Sequence, residues 1–247
     1  MKITFFACAA ALAGAAGSAI ATPINYGNFN GISVDWLQVT EDSATDPTPL
    51  FGTPTISGDS LNFNPVSFGS TASNGSSDLT DGTLTSMIAA RPGFSIPAVQ
   101  FVENGDYILS GVGGAGTSAS VNLAVFVWVL EVNGSPITPV NFSVNGTFNP
   151  SSGTFDLFND GPTFGIRTWN GGAMADIDGF LASQSISGSA TKVSVTIDNS
   201  LVTTSQAGTL AFIKKKQIGG VAITVVPTPS AAALLGLGGL VATRRRR

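Results

Sequence analysis

Residues 191–198 read Thr191-Lys192-Val193-Ser194-Val195-Thr196-Ile197-Asp198. A side-chain period of two places Val193, Val195 and Ile197 on one buried face, so the segment is predicted to be a half-exposed β-strand. Residues 121–132 are apolar at both parities and β-branched at most odd positions. That pattern predicts a central strand covered on both sides, with Trp128 in the core. Trp36 is expected in the core as well. Asn133-Gly134 follows this strand, and Asn104-Gly105 separates residues 99–102 from 107–109. Asn-Gly supplies the positive φ values of type I′ turns, so two hairpins are predicted.

Further strands are expected at residues 32–39, 67–72, 83–90, 140–144, 154–158, 165–169, 210–215 and 221–225. Asp46-Pro47, Gly58-Asp59, Asn74-Gly75, Asp81-Gly82, Asn149-Pro150 and Asp160-Gly161-Pro162 punctuate them, as turn chemistry requires. No long stretch carries apolar residues at helical spacing. The predicted fold class is therefore all-β, a single antiparallel β-sandwich of jelly-roll type over residues 22–226. A β-solenoid needs a fixed repeat period. The one local echo, Gly146-Thr147-Phe148 and Gly153-Thr154-Phe155, reads as a single hairpin.

Both ends depart from this pattern. Met1-Lys2 is followed by an apolar stretch and then by Ala19-Ile20-Ala21 ahead of Thr22, the order of a secretory signal peptide. Residues 1–21 are expected to engage the export translocon and to be cut by signal peptidase before Thr22. Reading Cys8 as a lipoprotein cysteine is the alternative, but Phe5-Phe6-Ala7 is a poor lipobox. Cys8 is the chain's one cysteine, so its loss with the leader leaves neither disulfide nor thiolate chemistry. A domain of about 200 residues can bury roughly 70% of its unfolded surface and manage without covalent staples.

At the other end, Pro227-Thr228-Pro229 precedes an uncharged apolar segment, residues 230–243, and then Arg244, Arg245, Arg246 and Arg247. As a helix that segment covers about 21 Å, short of the roughly 30 Å hydrocarbon core. Pro227 and Pro229 stop any upstream extension. A short transmembrane helix is predicted, with the arginines holding the cytoplasmic side and fixing the orientation. A buried core helix is the alternative, although a Gly-Leu-Gly-Gly interior suits membrane helices better than soluble ones.

This order of parts resembles the PEP-CTERM sorting signal of exported bacterial proteins. Pro227 and Pro229 match the family's two prolines, and Thr228 stands where the family has Glu. The resemblance covers residues 227–247. It implies recognition by an exosortase-type membrane protease, removal of the tail, and passage of the protein from the inner membrane to the cell surface or extracellular matrix.

All fifteen acids fall within residues 22–226 against six basic residues, which leaves a net charge of −9 on that domain. Such a surface repels nucleic acid and anionic lipid, so no nucleic-acid partner is expected. The chain has no histidine, which excludes Ser/His/Asp catalysis and His-ligated metals. A glycosidase needs two facing carboxyl groups, and the glutamates are Glu41, Glu103 and Glu131. Glu103 and Glu131 adjoin Asn-Gly pairs, where solvated strand-end charges usually sit. No catalytic residue and no cofactor is expected.

Asp176-Ile177-Asp178-Gly179 and the pair Asp156 and Asp160 are the best local calcium clusters, but neither has a complete loop signature. They read as turn residues, so no metal site is assigned. The sequons at Asn74, Asn141 and Asn145 read as chance matches. Trp169, followed by Asn170-Gly171-Gly172, is the aromatic expected to serve as a sugar platform if one exists. Lys214-Lys215-Lys216 could meet an anionic polysaccharide but reads first as a solvated run guarding a sheet edge. The function this predicts is that of a non-enzymatic, exported cell-surface or matrix protein. The alternative is a carbohydrate-binding module for extracellular polysaccharide.

Overall fold

The computed structural model describes residues 22–229 except Phe164. The leader expected at residues 1–21, with Ala19 and Ala21, the apolar segment expected to form a helix and Arg244 to Arg247 lie outside the described residues. Among the described residues no helix is long and apolar enough to cross a membrane.

The described residues form fifteen strands and one α-helix. In chain order the strands are β1 (Ile24–Asn30), β2 (Val34–Asp42), β3 (Thr55–Ser57), β4 (Ser60–Phe63) and β5 (Gly69–Ser73). They continue with β6 (Ser77–Ala90), β7 (Phe94–Ser110), β8 (Ser118–Val132), β9 (Ser135–Asn145), β10 (Thr147–Asn149) and β11 (Thr154–Asp156). After β12 (Arg167–Asp176) comes helix α1 (Ile177–Ser183), and then β13 (Ala190–Thr204), β14 (Leu210–Lys215) and β15 (Val221–Pro229).

All pairing is antiparallel, in two sheets. Sheet A runs β1-β2-β6-β13-β8-β11, with β9 also on β8, and sheet B runs β10-β12-β7-β15-β4-β3, with β14 joining β7 and β5. The sheets pack face to face as a sandwich, larger than a roughly eight-stranded jelly roll. Their inner faces supply the core: Val121, Leu123, Val125, Val127 and Val129 of β8 and Val193, Val195 and Ile197 of β13 from sheet A, and Phe101, Leu109, Ile213 and Ile223 from sheet B. Phe51, Phe63 and Phe68 fill one part of it, Phe51 meeting Phe68 edge-on at 4.9 Å.

Several expectations hold. Val193, Val195 and Ile197 are buried as the alternation requires, and residues 210–215 form β14. Asn133 and Gly134, at φ 50° and 76°, make the two-residue turn between β8 and β9. Trp36 is buried.

Others do not. Asn104-Gly105 makes no hairpin: β7 runs unbroken through both, pairing Asn104 with Asn170 and Gly105 with Trp169 on β12. Here the glycine answers to close packing, because the indole of Trp169 and the carbonyl of Lys214 occupy the space a Cβ would need. Residues 121–132 are covered on one face alone. Their outward positions carry Phe126 and Trp128, so Trp128 is a surface residue, not a core one. The segment predicted at 165–169 starts at Arg167 and runs on to Asp176. The strand expected at 221–225 continues through Pro229, so the backbone of Pro227, Thr228 and Pro229 belongs to sheet B, with Thr228 opposite Ser95 and Pro229 opposite Phe94.

Asp176 is the N-cap of α1, its carboxylate accepting from the Gly179 N–H at 2.9 Å. The helix buries Ile177 and Leu181, and Phe180 stacks on Phe142 at 4.4 Å. Asp156 accepts from the backbone N–H groups of Phe158 and Asn159 in the turn after β11, and Asp160 accepts from the N–H of Asp156.

Replacing Gly105 by Ala is expected to cost about 1–3 kcal/mol through overpacking, read as a lowered midpoint in thermal unfolding. Gly114→Ala is the control, since a Cβ there has its nearest neighbour, Gln206 Oε1, at 3.9 Å. It should stay within about 0.5 kcal/mol of the parent.

Candidate functional site

Trp169 is not available to a ligand. It sits on β12 with 1% of its surface exposed, edge-on to Phe148 at 5.9 Å between centroids. Its face looks toward Lys215, whose Nζ lies 5.6 Å from the ring centroid and 4.8 Å from that of Phe68. The lysine run is correspondingly misread from sequence. β14 alternates, so Lys214 and Lys216 point outward while Lys215 turns inward with 1% exposure.

Inside, the Lys215 ammonium pairs with Glu103 of β7, also fully buried. The same carboxylate oxygen accepts from Asn199 Nδ2 at 2.8 Å. Asn199 belongs to β13 in sheet A, so this polar node bridges the two sheets. Glu103 is thus a core residue and not a solvated strand-end charge. Burial pushes its carboxyl up from the ordinary range, opposed by the Lys215 charge, and pushes the Lys215 ammonium down, opposed by Glu103.

The other glutamates are engaged elsewhere. Glu41 is buried on β2, where it accepts from the Tyr26 hydroxyl at 2.6 Å and from the backbone N–H groups of Leu50 and Phe51. Glu131 pairs with Lys192 at 3.4 Å near the turn that follows β8.

The exposed counterpart is the outer face of sheet A. Phe126 and Trp128 stand two residues apart on the outward side of β8, 40% and 44% exposed. Pairing surrounds them with hydroxyls and amides: Trp128 lies between Ser194 and Asn141, and Phe126 between Thr196 and Ser143. Thr196 in turn hydrogen-bonds Thr85 of β6 at 3.2 Å. Further along the same face of β8, a surface cleft of about 360 Å³ is lined by Asn122, Ala124, Asn145, Asp198 and Ser200. Asn145 also lines an adjoining cleft of about 640 Å³ with Gln100, Asn104, Asn149 and Asn170. A strand advances about 3.4 Å per residue, so the strip from Trp128 to Asn122 is roughly 20 Å long. Aromatic faces beside amide and hydroxyl groups suit a ligand with apolar C–H faces and many hydroxyls.

A third cleft, about 750 Å³, lies at the far end of the sheet among Arg91, Phe94, Asn133, Gly188, Thr191 and Lys192. Its cations are spent on Asp35 and Glu131.

Sequence reasoning missed the strip because β8 is apolar at both parities. The usable signal was the pair of aromatics at Phe126 and Trp128, spaced two apart and facing strands with Ser, Thr and Asn at the matching positions.

No family model and no curated protein sequence matches the chain. Among solved structures it is similar to a carbohydrate-binding module, TmCBM61, in complex with β-1,4-galactotriose, with 11% identity over 66% of this chain and 74% of that one and a TM-score of 0.20. It is also similar to the enzymatically active domain of bacteriophage CBA120 tailspike protein 4, with 11% identity over 83% of this chain but 19% of that one and a TM-score of 0.21. The chain thus spans about a fifth of the tailspike domain's length. Likeness at this level carries no argument for function.

Asp81 on β6 gives the acidic end of this face a pH dependence. Burial first, then Asp198 and Asp46, push its carboxyl from 3.8 up to about 6. The folded state therefore holds this proton more tightly than the unfolded chain. The stabilisation is complete below 3.8 and is lost as pH rises through about 6. Asp81→Asn should match the parent in thermal stability near about pH 4 and exceed it near about pH 7. A stability difference that stays constant across that window would rule the raised value out.

Proposed function

We propose that this protein is a non-enzymatic, exported cell-surface or matrix protein that holds extracellular polysaccharide on the outer face of sheet A. The observation that carries the ligand class is the exposed pair Phe126 and Trp128, set in a hydroxyl- and amide-bearing row that leads into the cleft at Asn122 and Asn145. An apolar pair of this kind on a sheet face otherwise rich in Ser, Thr and Asn gives up favourable burial unless a partner covers it. The low positive charge of the strip suits a neutral glycan better than an anionic one, and Lys214 with its neighbours lies on the other sheet.

The delivery half of the reading rests on the two ends of the chain. The leader directs export through the translocon, with signal peptidase cutting at Thr22. The Pro227-Thr228-Pro229 motif, the apolar segment and the arginines hold the product at the inner membrane until an exosortase-type protease releases it. Because β15 carries the motif's backbone into sheet B, processing there requires the end of that strand to detach from β7.

Two measurements test these halves separately. Against a panel of neutral and acidic polysaccharides, the protein should bind at least one, and Trp128→Ala should weaken that binding roughly tenfold, about 1.4 kcal/mol. Phe158→Ala, which alters a 75% exposed aromatic after β11, should leave binding unchanged. Failure to bind across the panel would end the glycan reading. For delivery, mass spectrometry of protein recovered from the cell envelope and medium should find an N-terminus at Thr22 and a C-terminus near Pro229. An intact Arg247 would instead make the tail a permanent anchor.

A further inference from the structure

The node between the sheets holds three reactive groups where water cannot reach. Lys215 of β14 and Glu103 of β7 belong to sheet B, and Asn199 of β13 belongs to sheet A; all three side chains are buried. Lys215 Nζ and Asn199 Nδ2 both contact the same oxygen, Glu103 Oε2. Two nitrogens sharing one acceptor lie within about 6 Å of each other, the sum of two hydrogen-bond lengths. Among the described residues, Glu103 Oε1 and Asn199 Oδ1 have no hydrogen-bond partner. A buried ion pair with orphaned polar atoms on two of its members is a costly arrangement to maintain. The aromatic walls, Phe68 and Trp169, close the site.

We propose that Lys215 and Asn199 are joined by an intramolecular isopeptide bond that ties sheet A to sheet B, with Glu103 carrying the proton that the reaction moves. Lys215 Nζ and Glu103 Oε2 are in direct contact, so transfer of one proton along that contact, favoured by removal from water, turns the ion pair into the reacting amine and carboxylic acid. The Nζ lone pair attacks Cγ of Asn199, and Glu103 donates its proton to the developing oxyanion on Oδ1. The same carboxyl then passes a proton from Nζ to Nδ2, the Cγ–Nδ2 bond breaks as the Oδ1 hydroxyl returns its proton to Glu103, and ammonia leaves. Amine plus carboxamide gives secondary amide plus ammonia, with no oxidant or reductant, and Glu103 ends as it began. The product removes the buried ammonium, and its carbonyl accepts from the Glu103 carboxyl. With one cysteine in the whole chain, Cys8, no internal disulfide could supply such a cross-link. This inference stands apart from the glycan reading and shares no residue with the proposed binding face.

The test is the mass of the full chain after expression, denatured and then digested. Cleavage after Phe212 puts Asn199 and Lys215 on separate peptides. The expected result is a branched peptide joining the two segments, about 17 Da lighter than their sum because ammonia has left, and Asn199→Ala should abolish it. Separate, full-mass peptides carrying Asn199 and Lys215 in the parent protein would overturn the proposal whether or not any variant folds. A branched peptide joining Lys215 to Glu103, lighter by about 18 Da for lost water, would overturn it in favour of the other amide.

Discussion

The contact on which this sandwich turns is the one between Lys215 and Glu103. Two opposite charges removed from water are tolerated where geometry and further hydrogen bonds compensate their desolvation, and the surrounding strands are arranged to that end. Lys215 reaches the interior because β14 alternates and is clasped between β5 and β7. Glu103 is held at the middle of the longest strand, between β12 and β15. Asn199 comes from the facing sheet, so the polar group at the centre sets how the two sheets meet. Trp169 lies over this site because Gly105 leaves room for its ring. One glycine, one indole and one lysine are therefore a single packing decision.

The strands and the general architecture were legible from the sequence because a period of two is a direct consequence of pleating. The alternation at Val193, Val195 and Ile197 and the turn at Asn133-Gly134 could be read residue by residue. What could not be read was which sheet covers which face. Residues 124–130 carry apolar groups at every outward position, Ala124, Phe126, Trp128 and Leu130, as well as every inward one, so periodicity alone cannot separate a one-sided strand from a two-sided one. That ambiguity exchanged the roles of Trp128 and Trp169. Asn104-Gly105 is locally identical to a hairpin signal, and the ring that explains its glycine comes from a strand more than sixty residues away. Lys215 and Glu103 likewise resemble solvated charges until the partner that neutralises each is known.

The two halves of the molecule divide their chemistry accordingly. Sheet B contributes both charges of the buried pair, Lys215 and Glu103, whereas sheet A turns aromatic, hydroxyl and amide groups outward. Charge on the outer face of sheet A is concentrated at its two ends, around Asp81 with Asp198 and around Lys192 with Glu131. The uncharged stretch between them is where Phe126 and Trp128 stand. A neutral, partly aromatic strip bounded by charged ends has a defined length and orientation along β8.

The position of β15 has a mechanical consequence. Its first half is hydrogen-bonded on both sides, to β7 and to β4, and its remainder stays in register with β7 as far as Phe94. Tension arriving from beyond Pro229 runs along the axis of β15, first through the stretch held by β7 alone and then into the stretch held on both sides, and the ladder bonds share the load in shear. An edge strand such as β3, paired on one side over three residues, would spread the same axial load over fewer bonds. Forced unfolding is governed by the barrier to the first rupture, so the strand next to the tail is the one best placed to bear a tether.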